Sequence, residues 1–269
     1  MKYTSLLASI FLISACGGNN HPDHDPDIVT PHVGIEAPQN ISYSVISQFP
    51  HDTSAYTQGL EIHDGKLYEG TGDYENSSLR ITEAQSGKVN AKHVMGTDKI
   101  FGEGITIFNN KIYQLTWQSH VVYVYDINDI NTPIKTFNWP YEGWGLTHDS
   151  THLIISDGSA NIYFVDPETF KVNNTIAVKD DQGPILYLNE LEYVNGMIYA
   201  NVYETNFIVK IDAESGIVKG RMNCSGLLQQ SDIVEDRTDV LNGIAFDPQT
   251  GHLLITGKRW PKMFEVKVD

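Results

Sequence analysis

Five polar or aromatic residues occupy the same place in five similar stretches of the chain, and one of them is a carboxylate between two glycines. The carboxylate is Glu103, in FGEGIT (101–106), and its counterparts are Gln58, Trp144, Asn189 and Asn242. A carboxylate accepts and delivers protons, amides hold a carbonyl group by hydrogen bonds, and an indole covers apolar parts of a ligand. Together these side chains could carry out acid–base chemistry on a small molecule, provided that the fold brings them to one place.

The five stretches are repeats of one hairpin pattern. Each has a strand of alternating apolar residues, a tight turn such as Asp-Gly or Asn-Gly, and a second strand. They read TQGLEIHDGKLYEGTG (57–72), GEGITIFNNKIYQLTW (102–117), GWGLTHDSTHLIISDG (143–158), LNELEYVNGMIYANVY (188–203) and LNGIAFDPQTGHLLITGK (241–258). From Gln58 to Asn242 the equivalent positions are 45, 41, 45 and 53 residues apart. These spacings are typical of four-stranded propeller blades and too long for solenoid repeats.

The predicted fold class is therefore all-β, a five-bladed β-propeller that covers residues 41–269. Only one strand, MFEVKV (263–268), follows the last hairpin, and the segment ISYSVISQFP (41–50) is available as the missing fourth strand. We expect the last blade to be closed by this N-terminal strand, which leaves no unpaired edge. The connection 221–240 accounts for the longest spacing, and the sequence leaves open whether it holds a short helix or a lid.

The fold predicts that the equivalent residues converge. The first strand of each propeller blade lines the central channel, so its starting residues form a ring at one mouth. The second strand returns to the same end about fourteen residues later, which adds Trp117, Tyr203 and, after a two-residue insertion, Lys258. The mouth would then hold one carboxylate, one ammonium group, three amides and three aromatic rings. Such residues could form a ligand site with or without chemistry, or they could plug the channel and cap its strands.

Composition argues against several other functions. The formal net charge of −16 disfavours a nucleic-acid partner, because phosphates would be repelled. The chain has no Gly-x-Ser-x-Gly elbow, phosphate-binding glycine loop or His-Glu-x-x-His zinc motif. Four acidic residues near the predicted mouth could bind a cation, but Lys258 and the amides beside them do not favour a dedicated metal site: Glu142, Asp157, Glu190 and Glu192. We expect neither a metal nor a cofactor, and we interpret the histidines, His51 among them, as surface or turn residues.

The N-terminus reads as an export signal. Lys2 precedes an apolar run (6–13), which ends in small residues before Cys16 and resembles the bacterial lipobox. The prediction is a lipoprotein signal peptide at 1–15, lipidated Cys16, and a disordered tether to residue 40; an ordinary signal peptide or a short buried segment is the alternative. The apolar run is too short to span a bilayer as a helix. We expect an exported monomer, attached by its lipid alone to the outer membrane and facing the periplasm.

The motifs of residues 43–268 resemble those of the glutaminyl-peptide cyclotransferases of the plant and bacterial type. The similar motifs are TQGLEI, YEGTG, SSLR, FGEGIT, LTW, EGWGLT, SDG, DPETF, LNELEY, ANV, LNGIA and TGKRWP. The resemblance implies a five-bladed propeller enzyme, an acyltransferase that converts the N-terminal glutamine of peptides to pyroglutamate, releases ammonia and needs no metal.

The resemblance also implies roles for individual residues. It assigns the essential acid to Glu103 and polar substrate contacts to Gln58, Asn189 and Lys258, and we count Lys258 and Asn189 among the catalytic residues. It assigns the aromatic walls of the substrate site to Phe101, Trp117 and Trp144. Two aromatic positions depart from the family: Tyr203 stands where tryptophan is usual, and Tyr56 where phenylalanine is frequent. Both keep an aromatic face, so we include them among the substrate-binding residues.

Our mechanistic hypothesis is that Glu103 accepts a proton from the attacking amine and delivers it to the leaving nitrogen. Lys258, Gln58 or Asn189 would hold the carbonyl oxygen as charge develops on it. Two other functions remain open on the sequence: a propeller that binds peptides or envelope components without catalysis, and a calcium-dependent propeller similar to lactonases.

Overall fold

The structure is a computed structural model of the chain and describes residues 34–269. The predicted signal peptide, the lipidation site Cys16 and the tether up to residue 33 lie outside the described residues. Within the described part, no helix is long and apolar enough to cross a membrane.

Almost all regular structure in the described residues is β-strand, as predicted. The chain begins with β1 (Gln39–Ile41) and β2 (Tyr43–Pro50). The first blade contains β3 (Thr57–His63), β4 (Lys66–Thr71), β5 (Ser78–Thr82) and β6 (Val89–Val94). The second blade contains β7 (Gly102–Phe108), β8 (Lys111–Thr116), β9 (Val121–Asp126) and β10 (Asp129–Asn138). The third blade contains β11 (Leu146–His148), β12 (Leu153–Ser156), β13 (Asn161–Val165) and β14 (Val172–Ala177).

A short hairpin leads from the third blade to the fourth and consists of β15 (Lys179–Asp180) and β16 (Gly183–Pro184). The fourth blade contains β17 (Leu188–Val194), β18 (Met197–Val202), β19 (Phe207–Asp212) and β20 (Val218–Asn223). The fifth contains β21 (Leu241–Asp247), β22 (His252–Gly257) and β23 (Lys262–Val268). Two short 3-10 helices, Tyr74–Asn76 and Gln230–Asp232, lie in the connections. The second of them shows that the connection 221–240 holds a single short helical turn.

The N-terminal strand closes the ring, as the sequence predicts. β2 pairs antiparallel with β23, with Tyr43 opposite Val268 and Pro50 opposite Lys262. The fifth blade thus combines three strands from the C-terminal end with one from the N-terminal end. Its outer strand continues along the chain into the first blade, so the two ends of the propeller are joined both covalently and by backbone hydrogen bonds.

The structured region begins earlier than expected. Residues 39 and 40, which the sequence assigns to the tether, belong to β1, and β1 pairs parallel with β20 as a fifth strand of the fourth blade. Gly220 makes this possible, because a Cβ atom there would lie 2.7 Å from the Ile41 side chain. β1 could not be predicted from the sequence, because a strand held mainly by backbone hydrogen bonds needs no apolar alternation.

The hydrophobic core is divided among the five spaces between neighbouring blades. Each of five clusters of buried side chains takes its members from two adjacent blades. Inner strands contribute one fully buried aliphatic side chain apiece just after the channel mouth: Leu60, Ile105, Leu146, Leu191 and Ile244. The alternating apolar pattern of the sequence therefore packs blade against blade.

Three buried glutamates tie the inner strands together within the channel. Glu190 of the fourth blade accepts hydrogen bonds from the backbone N–H groups of Leu60 (3.2 Å) and Ile244 (2.8 Å), which belong to the first and fifth blades. Glu61 and Glu192 also accept hydrogen bonds from neighbouring blades. Burial is the main cause that raises the pKa of all three carboxyls. Glu190 and Glu192, considered above as cation ligands, thus have backbone and hydroxyl donors as partners.

Deleting residues 41–50 from the protein is expected to abolish cooperative folding. The deletion removes β2 and leaves β23 as an exposed edge, and it also removes Ile41 from β1. Circular dichroism during heating and size-exclusion chromatography would measure the loss. A protein that begins at Gly34 retains both strands and is the control; a cooperative thermal transition in the deletion variant would contradict the closure argument.

Candidate active site

One cavity at the channel mouth brings together all nine residues predicted to form the catalytic and substrate-binding site. Its volume is about 210 Å³, below the range usual for sites that take drug-sized ligands. The lining residues are Tyr56, Gln58, Phe101, Glu103, Trp117, Trp144, Asn189, Tyr203 and Lys258. The register of the repeats therefore placed seven of these side chains correctly, and the family resemblance supplied the other two, Phe101 and Tyr56. Their chemical roles are a separate matter.

The side chains of the inner strands reach the mouth because these strands are irregular there. In four blades the pairing of the first two strands shifts register at the mouth, as in a β-bulge, which redirects a side chain out of the sheet's alternation. Gln58, Glu103, Asn189 and Asn242 lie within the four shifts. In the third blade Trp144 precedes β11 instead. The pattern Gly-apolar-x-apolar follows Gln58, Glu103 and Asn242 as a common frame, and the bulged residue differs from blade to blade.

Asn242 departs from the predicted ring. It is fully buried and does not line the cavity. Its side-chain nitrogen donates to the backbone oxygen of Thr57 (2.9 Å) and to the side-chain oxygen of Gln58 (3.2 Å). Asn242 therefore supports Gln58 from behind, and the expectation that it belongs to the mouth itself was wrong.

The two glycines beside Glu103 allow the blades to approach each other. A Cβ atom on Gly102 would lie 2.6 Å from the backbone oxygen of Thr71, and one on Gly104 would lie 2.6 Å from the backbone nitrogen of Leu146. Gly104 also donates its N–H to the backbone oxygen of Trp144 at 2.8 Å. The strand that carries Glu103 is therefore packed closely against the first and third blades, which fixes the direction of the Glu103 side chain.

Glu103 is a buried carboxyl group without a hydrogen-bond donor among the described residues. Burial raises its pKa well above the ordinary value of 4.5, the positive charge of Lys258 opposes this shift, and the negative charge of Glu142 adds to it. The three channel glutamates, by contrast, accept hydrogen bonds from other blades. An acid in this state holds its proton more strongly than a free carboxyl, and it can give or take one when a ligand enters.

Lys258 is almost completely buried opposite this acid. Burial lowers its pKa, while the negative charges of Glu103 and Asp239 oppose the shift. Its Nζ lies over the ring faces of Tyr56 and Tyr203, 4.8 Å and 4.5 Å from their centroids. These two tyrosines thus stabilise the ammonium group by cation–π contacts.

Glycines under the rings set the positions of two aromatic walls. A Cβ atom on Gly72 would lie 2.1 Å from the ring of Phe101, and one on Gly158 would lie 2.6 Å from the ring of Trp144. Each ring therefore occupies the space of an absent side chain. Phe101 also packs edge to face against Trp117, with centroids 5.9 Å apart.

Sequence reasoning missed the role of Glu142. A single oxygen, Oε2, accepts the indole N–H of Trp117 at 2.7 Å and that of Trp144 at 3.0 Å. Its other oxygen accepts from Gln118 at 3.0 Å. Burial by itself would raise the pKa of Glu142, but hydrogen bonds from Gln118 and the two indoles outweigh it and lower the pKa. The EGWG motif, with an acid two residues before Trp144, was the available signal.

Asp239 was also missed, and it brings the connection 221–240 to the site. Its backbone N–H donates to the backbone oxygen of Lys258 at 3.0 Å, and its own backbone oxygen accepts the indole N–H of Trp260 at 2.9 Å. The negative charge of Asp239, after burial, raises the pKa of Tyr56 and of Tyr203. No residue in its surroundings marks it in the sequence.

Fold and site together define a class: a five-bladed β-propeller whose channel mouth encloses an acid, an ammonium group, amides and aromatic rings, as an acid–base enzyme requires. The chain belongs to the glutamine cyclotransferase family, whose model matches residues 18–268. This confirms the family resemblance, and the chain is accordingly an acyltransferase of the glutaminyl-peptide cyclotransferase class.

Two relatives support the assignment. Over 231 residues the chain is 37% identical to a glutaminyl-peptide cyclotransferase of Arabidopsis thaliana, which covers 83% of this chain and 70% of the relative. The crystal structure of Myxococcus xanthus glutaminyl cyclase is similar with a TM-score of 0.80 and 33% identity, covering 86% of this chain and 98% of that one. This likeness agrees with the five-bladed architecture.

Glu142→Gln is expected to lower the pKa of Glu103, because a like charge beside it is removed. The amide oxygen can still accept both indole N–H groups, so the tryptophan emission spectrum should stay unchanged. Glu142→Ala removes charge and acceptor together, so it should lower the pKa and also shift the emission. Carboxyl ¹³C NMR titration and fluorescence measure the two effects.

Glu214, which is exposed on a turn, provides the matched control. Glu214→Gln removes the same charge and should leave both readouts unchanged. A Glu103 pKa that is equal in the wild type and the Glu142→Gln variant would contradict the electrostatic link.

Proposed function

We propose that the protein converts the N-terminal glutamine of peptides to pyroglutamate and releases ammonia. Family membership and the name of the Arabidopsis thaliana relative, glutaminyl-peptide cyclotransferase, support this reaction. The observation that carries the proposal is the state of Glu103, a buried carboxyl with a raised pKa, within a pocket that also holds Lys258 and aromatic walls.

The reaction joins two groups of one residue. The α-amino nitrogen forms a bond to the side-chain carbonyl carbon, the bond from that carbon to the side-chain nitrogen breaks, and this nitrogen leaves as ammonia after gaining a proton. Because nucleophile and electrophile are tethered, the pocket has mainly to hold the side chain folded back towards the amine. An α-amine has a pKa of about 7.7–8.0, so part of it is neutral near neutral pH.

Glu103 is proposed as the group that moves the proton. Its ionised form accepts a proton from the amine as the new bond forms, and its protonated form then delivers one to the leaving nitrogen. A pKa raised towards the working pH suits both steps, because both forms are then populated. Lys258 keeps the shift within limits, since its positive charge favours the ionised form.

Lys258 and Asn189 are proposed to stabilise the carbonyl oxygen as it becomes negative. Lys258 contacts ring faces, and none of the described residues forms an ion pair with it, so its N–H groups are available. The side-chain oxygen of Asn189 is buried and has no partner among the described residues. This oxygen can accept a hydrogen bond from the substrate amine, and the side-chain NH2 group of the same amide is the donor proposed for the substrate carbonyl oxygen. Gln58, aligned by Asn242, adds a further polar contact.

The aromatic walls are proposed to hold the aliphatic stem of the glutamine and to exclude water. The rings of Phe101 and Trp144 pack against Gly72 and Gly158, and Glu142 accepts the indole N–H groups of Trp117 and Trp144. Removal of water strengthens the electrostatic effects of Glu103 and Lys258. Tyr56 and Tyr203 complete the enclosure next to Lys258.

We also propose that the protein is an exported lipoprotein, anchored to the outer membrane through Cys16, with a monomeric propeller in the periplasm. The support is the sequence of residues 1–17. Mass spectrometry of the protein from membranes should find lipid-modified Cys16 as the first residue, and Cys16→Ser should prevent the lipidation. A mature N-terminus at any other residue would contradict the anchor.

Glu103→Gln is expected to reduce ammonia release from a Gln-initiated dipeptide by about 10²-fold or more, which is the usual contribution of general acid–base catalysis. An amide cannot accept and return the proton. A coupled ammonia assay measures the loss. Substantial activity in the variant would reject Glu103 as the proton carrier, and no ammonia from the wild type would reject the proposed function in favour of a binding propeller.

The same variant should be at least as stable as the wild type at neutral pH. Since the folded-state pKa of Glu103 is raised, the folded protein binds this proton more tightly than the unfolded chain, and ionisation lowers stability as pH rises above about 4.5. Glutamine removes that cost, so Tm should be equal or higher. Glu214→Gln should change neither activity nor Tm. A lower Tm for Glu103→Gln would show that lost activity reports misfolding.

A further inference from the structure

A second cavity of about 340 Å³ lies beside the active-site pocket, at the same ends of the strands. We call it the apolar groove; its lining residues are Pro184, Ile185, Leu186, Tyr187, Val202, Thr205, Phe207, Val209 and Arg221. The groove and the pocket share a wall. Tyr187 and Val202 line the groove, while Asn189 and Tyr203, one or two residues further along the chain, line the pocket.

The shared wall is a ridge made of two hydrogen-bonded segments. Tyr203 donates its backbone N–H to the oxygen of Tyr187 at 2.9 Å, and Leu188 lies opposite Val202 in the ladder. The two cavities therefore lie on either side of this ridge, and a ligand that extends from one to the other has to cross it.

The groove exposes large apolar side chains that nothing in the described chain covers. Leu186 is 52% exposed, Tyr187 57% and Phe207 38%. Contiguous exposed apolar surface marks binding sites more often than it serves folding. Arg221, the one charged residue in the lining, is engaged by Asp180, so the groove offers an apolar rather than a charged surface.

Tyr187 is held in an unfavourable conformation. Its φ of 62° lies in the left-handed region, which residues with a bulky side chain rarely adopt. The conformation is fixed on both sides, because its N–H donates to the oxygen of Gly158 at 2.8 Å and its oxygen accepts from Tyr203. The backbone of Tyr187 is therefore bonded to two residues of the pocket wall. Gly158 lies under the ring of Trp144, and Tyr203 lines the pocket itself.

The proposed reaction indicates an occupant for this groove, namely the part of the peptide that follows the glutamine. Cyclisation uses only the first residue of a peptide, and a cavity of about 210 Å³ has room for little more. The carbonyl carbon of that residue continues into the rest of the peptide, which must leave across the rim. An extended chain advances about 3.3 Å per residue, so the residues that follow the glutamine directly are the ones that cross the ridge, and the next ones can lie in the groove.

We propose that the apolar groove binds the residues that follow the N-terminal glutamine, so that the protein prefers peptides with apolar side chains at the third and fourth positions. This inference rests on the proposed function. It assigns substrate preference to Leu186, Tyr187 and Phe207, which do not touch the reacting glutamine.

Three substrates test the preference with the full-length protein: Gln-Gly-amide, Gln-Gly-Leu-Phe-amide and Gln-Gly-Ser-Ser-amide. We expect the apolar tetrapeptide to have a kcat/KM about tenfold above that of the polar one, mainly through KM, because the groove adds binding energy that the chemical step does not use. The polar tetrapeptide should resemble the dipeptide.

The double variant Leu186→Ser/Phe207→Ser should remove this tenfold difference and leave turnover of Gln-Gly-amide unchanged. The matched control is Ile134→Ser on β10, since Ile134 is 57% exposed and lies outside the groove; it should preserve the difference. Unchanged dipeptide turnover also shows that the double variant is folded.

The outcomes separate the two proposals. Equal kcat/KM for both tetrapeptides, with the dipeptide still converted, overturns the groove assignment and leaves the proposed function standing. No conversion of any substrate overturns both. Self-association of the wild type that the double variant abolishes, seen by size-exclusion chromatography, would assign the groove to a second copy of the chain and also overturn the inference.

Discussion

The pairing of β2 with β23 is the constraint on which the rest of the structure depends. Five inner strands share one channel only when the ring is closed, and a shared channel is what brings residues 45, 41, 45 and 53 positions apart into one pocket. Closure also lets every core cluster lie between two blades. Site geometry is therefore a property of the whole ring, and no single blade contains enough of it to act alone.

Buried glutamates within this ring serve two different purposes. Glu61, Glu190 and Glu192 accept hydrogen bonds from neighbouring blades and so satisfy unpaired backbone or hydroxyl donors of the channel wall. Glu103 is buried to a similar degree but has no such donor among the described residues. A buried acid without a partner is destabilising, which distinguishes it physically from the structural three. The difference lies in hydrogen bonds and could not be read from burial alone.

Much of this arrangement was predictable from the sequence, because aligned repeats show which residues occupy equivalent positions in the five blades. Once the five hairpins are aligned, the blade number, the closing strand and seven of the nine lining residues follow from propeller geometry, while Phe101 and Tyr56 required the family resemblance. What could not be predicted depends on single side chains and on backbone pairing. Asn242 turns behind Gln58, Glu142 reaches two indoles, and residues 39–40 pair without an apolar pattern. His51, interpreted as a surface residue, is instead a buried partner of Glu69 at 3.0 Å.

The packing of the Phe101 and Trp144 rings directly against glycines has a thermodynamic consequence. Each ring fills a space that any side chain on Gly72 or Gly158 would occupy, so its rotamer is chosen when the blades assemble. The conformational entropy of these walls is thus lost during folding and need not be lost again when a ligand arrives. A small substrate with few atoms to contribute gains most from such an arrangement, since nearly all of its contact energy remains available for affinity. The two glycines act on binding from behind the rings, without touching the ligand.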